Sequence, residues 1–199
     1  TDYYYGSNAG LIMADRVTMT GRHLDQSGTI YGHDRIYVNY NDILSGPQSV
    51  WQAQNAVIFA DHLKEQGKQR FGNLNGKVRQ WEIAASGEAT IQAGLLSTNT
   101  VIVDGKLTVN NFHLDNKDGV KIGVQGQLAA DNSTLKTEHL NVANKGGLTL
   151  RQTNLDAHKS LTLAEGSHLT ATLGEIKTNT ADLNGSVALQ GVVVEANKL

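Results

Sequence analysis

Three columns of apolar residues advance through the C-terminal half of the sequence in the same steps. "LTVNNFHLD" (107–115), "LAADNSTLK" (128–136), "LTLRQTNLD" (148–156) and "LTATLGEIK" (169–177) share one frame, and a shorter variant runs from Val187 to Glu195. The first column is Leu107, Leu128, Leu148, Leu169 and Val187, with steps of 21, 20, 21 and 18. The second is Leu114, Leu135, Leu155, Ile176 and Val194, and the third Val101, Ile122, Val142, Leu163 and Ala181, each with identical steps. Lockstep columns mean an internal repeat of about 20 residues, and such a repeat has to stack on its own copies to bury its apolar face.

Within a repeat the apolar residues alternate, as in Leu148-x-Leu150 and Leu161-x-Leu163. Alternation sends one face of a strand inward and the other outward. Long helix-period stretches are missing, while Val, Ile, Leu and Thr abound, Gly reaches 21 and Pro occurs once. Short strands joined by Gly and Asn turns every 20 residues predict a parallel β-helix with one repeat per coil. The leucine-rich repeat has a comparable period, but its fixed Asn and long consensus are missing.

The N-terminal third keeps the period. Val17-x-Met19 recurs as Ile36-x-Val38 after 19 residues and as Val57-x-Phe59 after 21 more. Ile30-Tyr31 recurs as Val50-Trp51. The stretch "DHLKEQGKQRFGNLNGKVRQWE" (61–82) has no clean column and is charged. The sequence therefore predicts three regions: coils over 1–60, an irregular segment or distorted coils over 61–95, and regular coils over 96–199.

Charge and composition exclude several functions. Seventeen Lys and Arg against nineteen Asp and Glu leave −2, without the positive surplus of a nucleic-acid or polybasic membrane binder. No apolar run approaches membrane-spanning length. There is no cysteine for a disulfide or a zinc thiolate site. The opening "TDYYYGSNAG" lacks both a Met and a signal-peptide pattern, and reads as the start of a piece cut from something larger. The seven His show no H-E-x-x-H spacing, and no phosphate loop, G-x-S-x-G or calcium nonapeptide occurs. "GVQG" at 123–126 reads as a turn. No catalytic residue, metal ligand or cofactor is assigned.

The elements "ADRVTMTGRHLDQSGTIYGHDRIYV" carry the order A-D-x-V-x-x-x-x-x-x-L-D-x-x-G-x-I-x-G followed by a β pair. In this they resemble the haemagglutinin-type repeats of filamentous haemagglutinin and CdiA-type exoproteins, which two-partner systems of Gram-negative bacteria secrete. The resemblance covers residues 12–60 closely and 96–199 more loosely; 61–95 depart from it. It implies a right-handed β-helical shaft, export through an outer-membrane transporter, a place on the bacterial exterior, and adhesion or contact-dependent toxin delivery. A non-enzymatic receptor-binding segment is the expected function, its partner being an outer-membrane protein or surface glycan of a target cell. A purely structural shaft is one alternative. A β-helical polysaccharide lyase or hydrolase is another, since fold alone does not fix function.

Two surface features are expected. The residues after the second column, Asp115, Lys136, Asp156, Lys177 and Glu195, alternate in sign, so stacked coils would set each charge against its opposite. Of eleven aromatic residues, ten lie within the first 81 positions. Exposed Trp, Tyr and Arg compose binding hot spots. Tyr31, Trp51, Arg70, Phe71, Arg79 and Trp81 are therefore the candidate contact residues, on one lateral face of residues 30–82.

Overall fold

The computed structural model describes residues 5–199. They form fourteen β-strands and no helix, all paired in parallel, stacked as a β-solenoid of about ten turns. A short strand β1 (Tyr5–Asn8) lies beside the end of β2. The bent strands β2 (Leu11–Gln26), β3 (Thr29–Ser45), β4 (Val50–Glu65) and β5 (Lys68–Ile83) each make one turn. The next three turns are split: β6 (Glu88–Ile91) with β7 (Gly94–Val103), β8 (Lys106–Asn110) with β9 (Phe112–Ile122), and β10 (Gln127–Asp131) with β11 (Thr134–Val142). Continuous strands β12 (Gly147–Leu163), β13 (His168–Leu183) and β14 (Ser186–Lys198) complete the stack. At the ~4.8 Å strand spacing, ten turns span on the order of 45 Å.

Tight turns link successive coils at one edge. Gly87 donates its N–H to Ala84 at 2.7 Å, Gly126 to Gly123 at 3.0 Å and Gly146 to Ala143 at 2.9 Å. The residues Gln125 and Lys145 take positive φ there, 65° and 61°. "GVQG" is one of these turns.

The first two apolar columns stack as their spacing requires. Leu128 pairs with Leu107 and Leu148, and Leu169 with Leu148 and Val187. Leu135 pairs with Leu114 and Leu155, and Ile176 with Leu155 and Val194. The third column slips at both ends. Val101 faces Val120, and Leu163 faces Leu183, so the true columns are Val101, Val120, Leu140, Leu161, Ala181 and Val103, Ile122, Val142, Leu163, Leu183. Register irregularities between Thr98 and Thr100 and between Ala157 and Ser160 shift the count between columns. Because the slip is two residues, every side chain stays on its expected face.

One-residue slips matter more. Val17 and Met19 do pair with Ile36 and Val38, but the next rung is Ala56 and Ile58, not Val57 and Phe59. Ile30 pairs with Trp51, and Tyr31 with Gln52. Trp51 thus joins the inward column of Ile30 and is wholly buried, while Phe59 faces out at 39% exposure.

Residues 61–95 are not irregular. They continue the stack through the end of β4, β5, β6 and the start of β7, in register with both neighbours. Leu63, Leu74, Val78, Ile83 and Ile91 point inward there, but glycine and polar residues at other inward positions interrupt the columns. Gly76 stands between Ile58 and Leu96, and Gly94 between Leu74 and Phe112. Gly76 adopts φ 133°, and a Cβ there would lie 2.0 Å from the carbonyl oxygen of Ile58; Gly94 repeats this at φ 136° against Leu74. Only glycine fits either position. Gln69 and Glu65 occupy two further inward positions.

The interior tolerates polar groups where they bond to one another. Asn116 donates to Thr98 Oγ1 at 2.8 Å and accepts from Thr137 Oγ1 at 2.7 Å, linking three successive coils. Outside, Lys136 pairs in register with Asp115 and Asp156, and Lys177 with Asp156 and Glu195, so the alternating charges stack as the sequence predicts. Contact is uneven: Lys177 Nζ lies 3.2 Å from Glu175 and 3.6 Å from Glu195, whereas among the described residues no ion pair closes at Lys136.

Candidate binding groove on the lateral face

The strands that carry Ile30 and Trp51 inward turn the alternate residues out. One outward column reads Met13, Tyr31, Gln52, Arg70, Thr90 and Thr108, each paired in register with the next. Just beyond it the chain bends into the next face of each coil. The bend leaves a concave strip of about 500 Å³ lined by residues that include Tyr31, His33, Gln52, Gln54, Arg70 and Glu88. Thr90 and Gln92 join Glu88 on the last of its coils, and Gly32, Ala53, Phe71 and Gly72 form its floor. The floor stays low because it is built of small groups: a Cβ at Gly72 would meet the Gln54 carbonyl oxygen at 2.7 Å.

Of the six candidate contact residues, Tyr31 and Arg70 meet in this groove. They stand two rungs apart, Tyr31 half-buried and Arg70 exposed. Trp51, Phe71 and Trp81 lie in the core at 0%, 2% and 1% exposure, and are corrected from contact residues to packing residues. Trp51 is held there by its indole N–H, which donates to Ser45 Oγ at 2.5 Å. Arg79 is exposed but lies on a different face. It makes an ion pair of 3.4 Å with Asp61 and lines a smaller hollow of about 250 Å³ with Asn39, Phe59 and Lys77. Tyr3 and Tyr4, part of the aromatic excess, lie outside the described residues.

Three glutamines, His33, Thr90 and Glu88 were not singled out in the sequence. The signal for them is the repeat itself applied to outward positions. From Tyr31 the period leads to Gln52, Arg70, Thr90 and Thr108.

Electrostatically the strip stands apart from the rest of the chain. Lys68, Glu88 and Lys106 form the neighbouring outward column, so Glu88 has a cation in register on either side. Lys68, Arg70 and Lys106 against Glu88 give +2 locally on a chain of −2. No ion pair among the described residues engages Arg70.

Behind this face lies a buried carboxyl. Glu65 is fully buried; its Oε1 accepts from Ser49 Oγ at 3.2 Å and from the Gly67 N–H at 2.7 Å. Burial pushes its carboxyl up to about 7, against the opposing pull of the Gly67 N–H and the nearby Ser45, Ser49 and Gln69 side chains. Glu65 Oε2 and both amide atoms of Gln69 complete no hydrogen bond among the described residues.

A second hollow, about 630 Å³, runs along the alternating charges, with Asp115, Lys136, Glu138, Asp156 and His158 among its lining. Its two aspartates flank Lys136 on either side. No three His, Cys, Asp or Glu converge to hold a metal among the described residues. Compared with known protein families, curated proteins and solved structures, the chain matches none.

Proposed function

We propose that this chain is a non-enzymatic segment of a large secreted bacterial exoprotein, a β-helical filament whose lateral groove meets a receptor on a target cell. Adhesion or contact-dependent toxin delivery is the role this serves, at the exterior of a Gram-negative outer membrane. Export through an outer-membrane transporter belongs to the same reading. Two things support it. Residues 12–60 resemble haemagglutinin-type repeats. The observation that carries the contact assignment is the groove, where Tyr31 and Arg70 share one outward column beside three amides, with no ion pair engaging the guanidinium. Tyr and Arg in a desolvating recess are the residues that dominate binding energy at interfaces.

The test is binding of folded, labelled fragment to target cells. Alanine at both Tyr31 and Arg70 should weaken binding at least ~10-fold, since hot-spot truncations cost above about 1 kcal/mol each. Alanine at Arg79, on another face, should leave it unchanged. A wild-type fragment that binds no cell would favour a purely structural shaft. Depolymerisation of a polysaccharide would favour an enzyme, although the groove holds one carboxylate, Glu88, where glycoside hydrolysis ordinarily uses two.

A further inference from the structure

The groove's chemistry is specific enough to name a class of ligand. Its lining combines one aromatic ring, Tyr31, with the primary amides of Gln52, Gln54 and Gln92 and the hydroxyl of Thr90. Each amide both donates and accepts, which matches hydroxyl groups that do the same. No deep apolar pocket is available for an anchoring side chain: the apolar floor is Ala53 with Phe71, which is 2% exposed. The rungs are spaced at ~4.8 Å and carry different groups, Tyr31, Gln52, Arg70 and Thr90, so the four cover on the order of 14 Å along the axis. A ligand that reaches all four is an extended chain rich in hydroxyl groups, with an acidic group for Arg70.

Charge narrows the choice. Arg70 and Glu88 line the groove, and in the outward column beside it Lys68 and Lys106 flank the glutamate in register, so cations outnumber the one carboxylate across the two columns. The planar guanidinium of Arg70 presents a two-pronged donor edge that fits an oxyanion, and no ion pair of the described residues occupies it. The cations are sparse. Lys68 and Arg70 sit two residues apart on one strand, and Lys106 stands two rungs from Lys68.

We infer that this groove binds an extended acidic polysaccharide whose sugars carry carboxylates. Tyr31 stacks on a sugar ring, Gln52, Gln54 and Gln92 bond its hydroxyls, and Arg70 takes a carboxylate. This rests on the groove being the contact surface proposed above.

The experiment measures binding of the intact fragment to three soluble polymers: polygalacturonate, dextran sulfate and uncharged dextran. Saturable binding to polygalacturonate is expected, at least tenfold weaker for Arg70→Gln and for Tyr31→Ala, and unchanged for Arg79→Ala. Arg70→Lys keeps the charge but not the fork, and should bind in between. Uncharged dextran should not bind. Thermal melts of each variant establish that it is folded. Dextran sulfate binding as tightly as polygalacturonate, with no loss on Tyr31→Ala, would reduce the site to a diffuse positive surface and overturn the inference. So would polygalacturonate that neither binds nor competes with cells while cell binding still falls on Tyr31→Ala and Arg70→Gln. In that outcome the groove remains the contact and only the ligand class fails. Cell binding indifferent to both variants would remove the groove itself.

Discussion

Glu65→Gln should abolish the loss of stability that a buried carboxyl brings to the N-terminal coils as pH rises. Glu65 is the one fully buried charged residue among the described residues, and burial raises its carboxyl from the ordinary 4.5 to about 7. A raised carboxyl means that the fold prefers the neutral acid. The stability it contributes is therefore present in full below about pH 4.5 and is lost as pH rises through about 7. Above that the folded state carries a buried carboxylate that the unfolded chain would solvate. A rise of about 2.5 pH units corresponds to about 3 kcal/mol, since each unit is about 1.4 kcal/mol. Glutamine keeps the oxygen that accepts from Ser49 and Gly67, and its amide can donate to the free Gln69 oxygen. Wild type and variant should match near pH 4.5. At pH 8.5 the variant should be more stable by about 3 kcal/mol, or roughly 6–12 °C in Tm. Urea unfolding followed by tryptophan fluorescence suits the assay, because Trp51 bonds to Ser45, itself beside Glu65. Every other titrating group cancels in the difference between the two proteins. Parallel pH profiles would refute the reasoning, for then Glu65 ionises as freely inside as in water.

Trp51→Ala should cost about 3–5 kcal/mol by leaving a cavity, whereas Tyr31→Ala, one rung and one face away, should stay within about 1 kcal/mol; chemical denaturation of the pair separates core from surface. Gly76→Val should fail to fold or lose more than about 3 kcal/mol, because its Cβ would press on the Ile58 carbonyl at a φ that β-branched residues avoid; circular dichroism and a melt are sufficient. Lys136→Asp places three acids in line from Asp115 to Asp156, so its stability should rise with added salt while the wild type's does not.

The β-helix was legible because leucine, valine and isoleucine mark the same inward positions from Leu107 to Val194, and the pairing follows them. The signal faded over 61–95 for reasons of residue type. Gly76 and Gly94 hold inward positions with no side chain, and Gln69 and Glu65 hold two more with polar ones, so the apolar period is interrupted while the coil persists. Trp51 was misassigned because Val50-Trp51 imitates Ile30-Tyr31 in type, apolar then aromatic. The corner Gly46–Ser49 has two residues more than the corner Ser27–Gly28, so the offset rises from 19 at Gln26 and Ser45 to 21 at Ile30 and Trp51; a step of 20 misses by one residue, which in a strand is the difference between core and surface. Tyr31 and Arg70 were visible as an exposed aromatic and a cation. Gln52, Gln54 and Gln92 were not, since amides follow no pattern until the coils are aligned.

Most all-β proteins join residues far apart in sequence, and the entropy of closing those loops slows their folding. Here nearly every ladder joins residues about 20 apart, such as Leu128 to Leu148 or Ile36 to Val17. Divided by the length of 199 residues, that separation gives a relative contact order near ~0.1, the range of helical bundles rather than of sandwiches. Each coil closes a loop of the same small size on the edge its predecessor offers. The chain should therefore assemble by accretion, one rung at a time, at a speed set by the length of a single coil and independent of how tall the column grows.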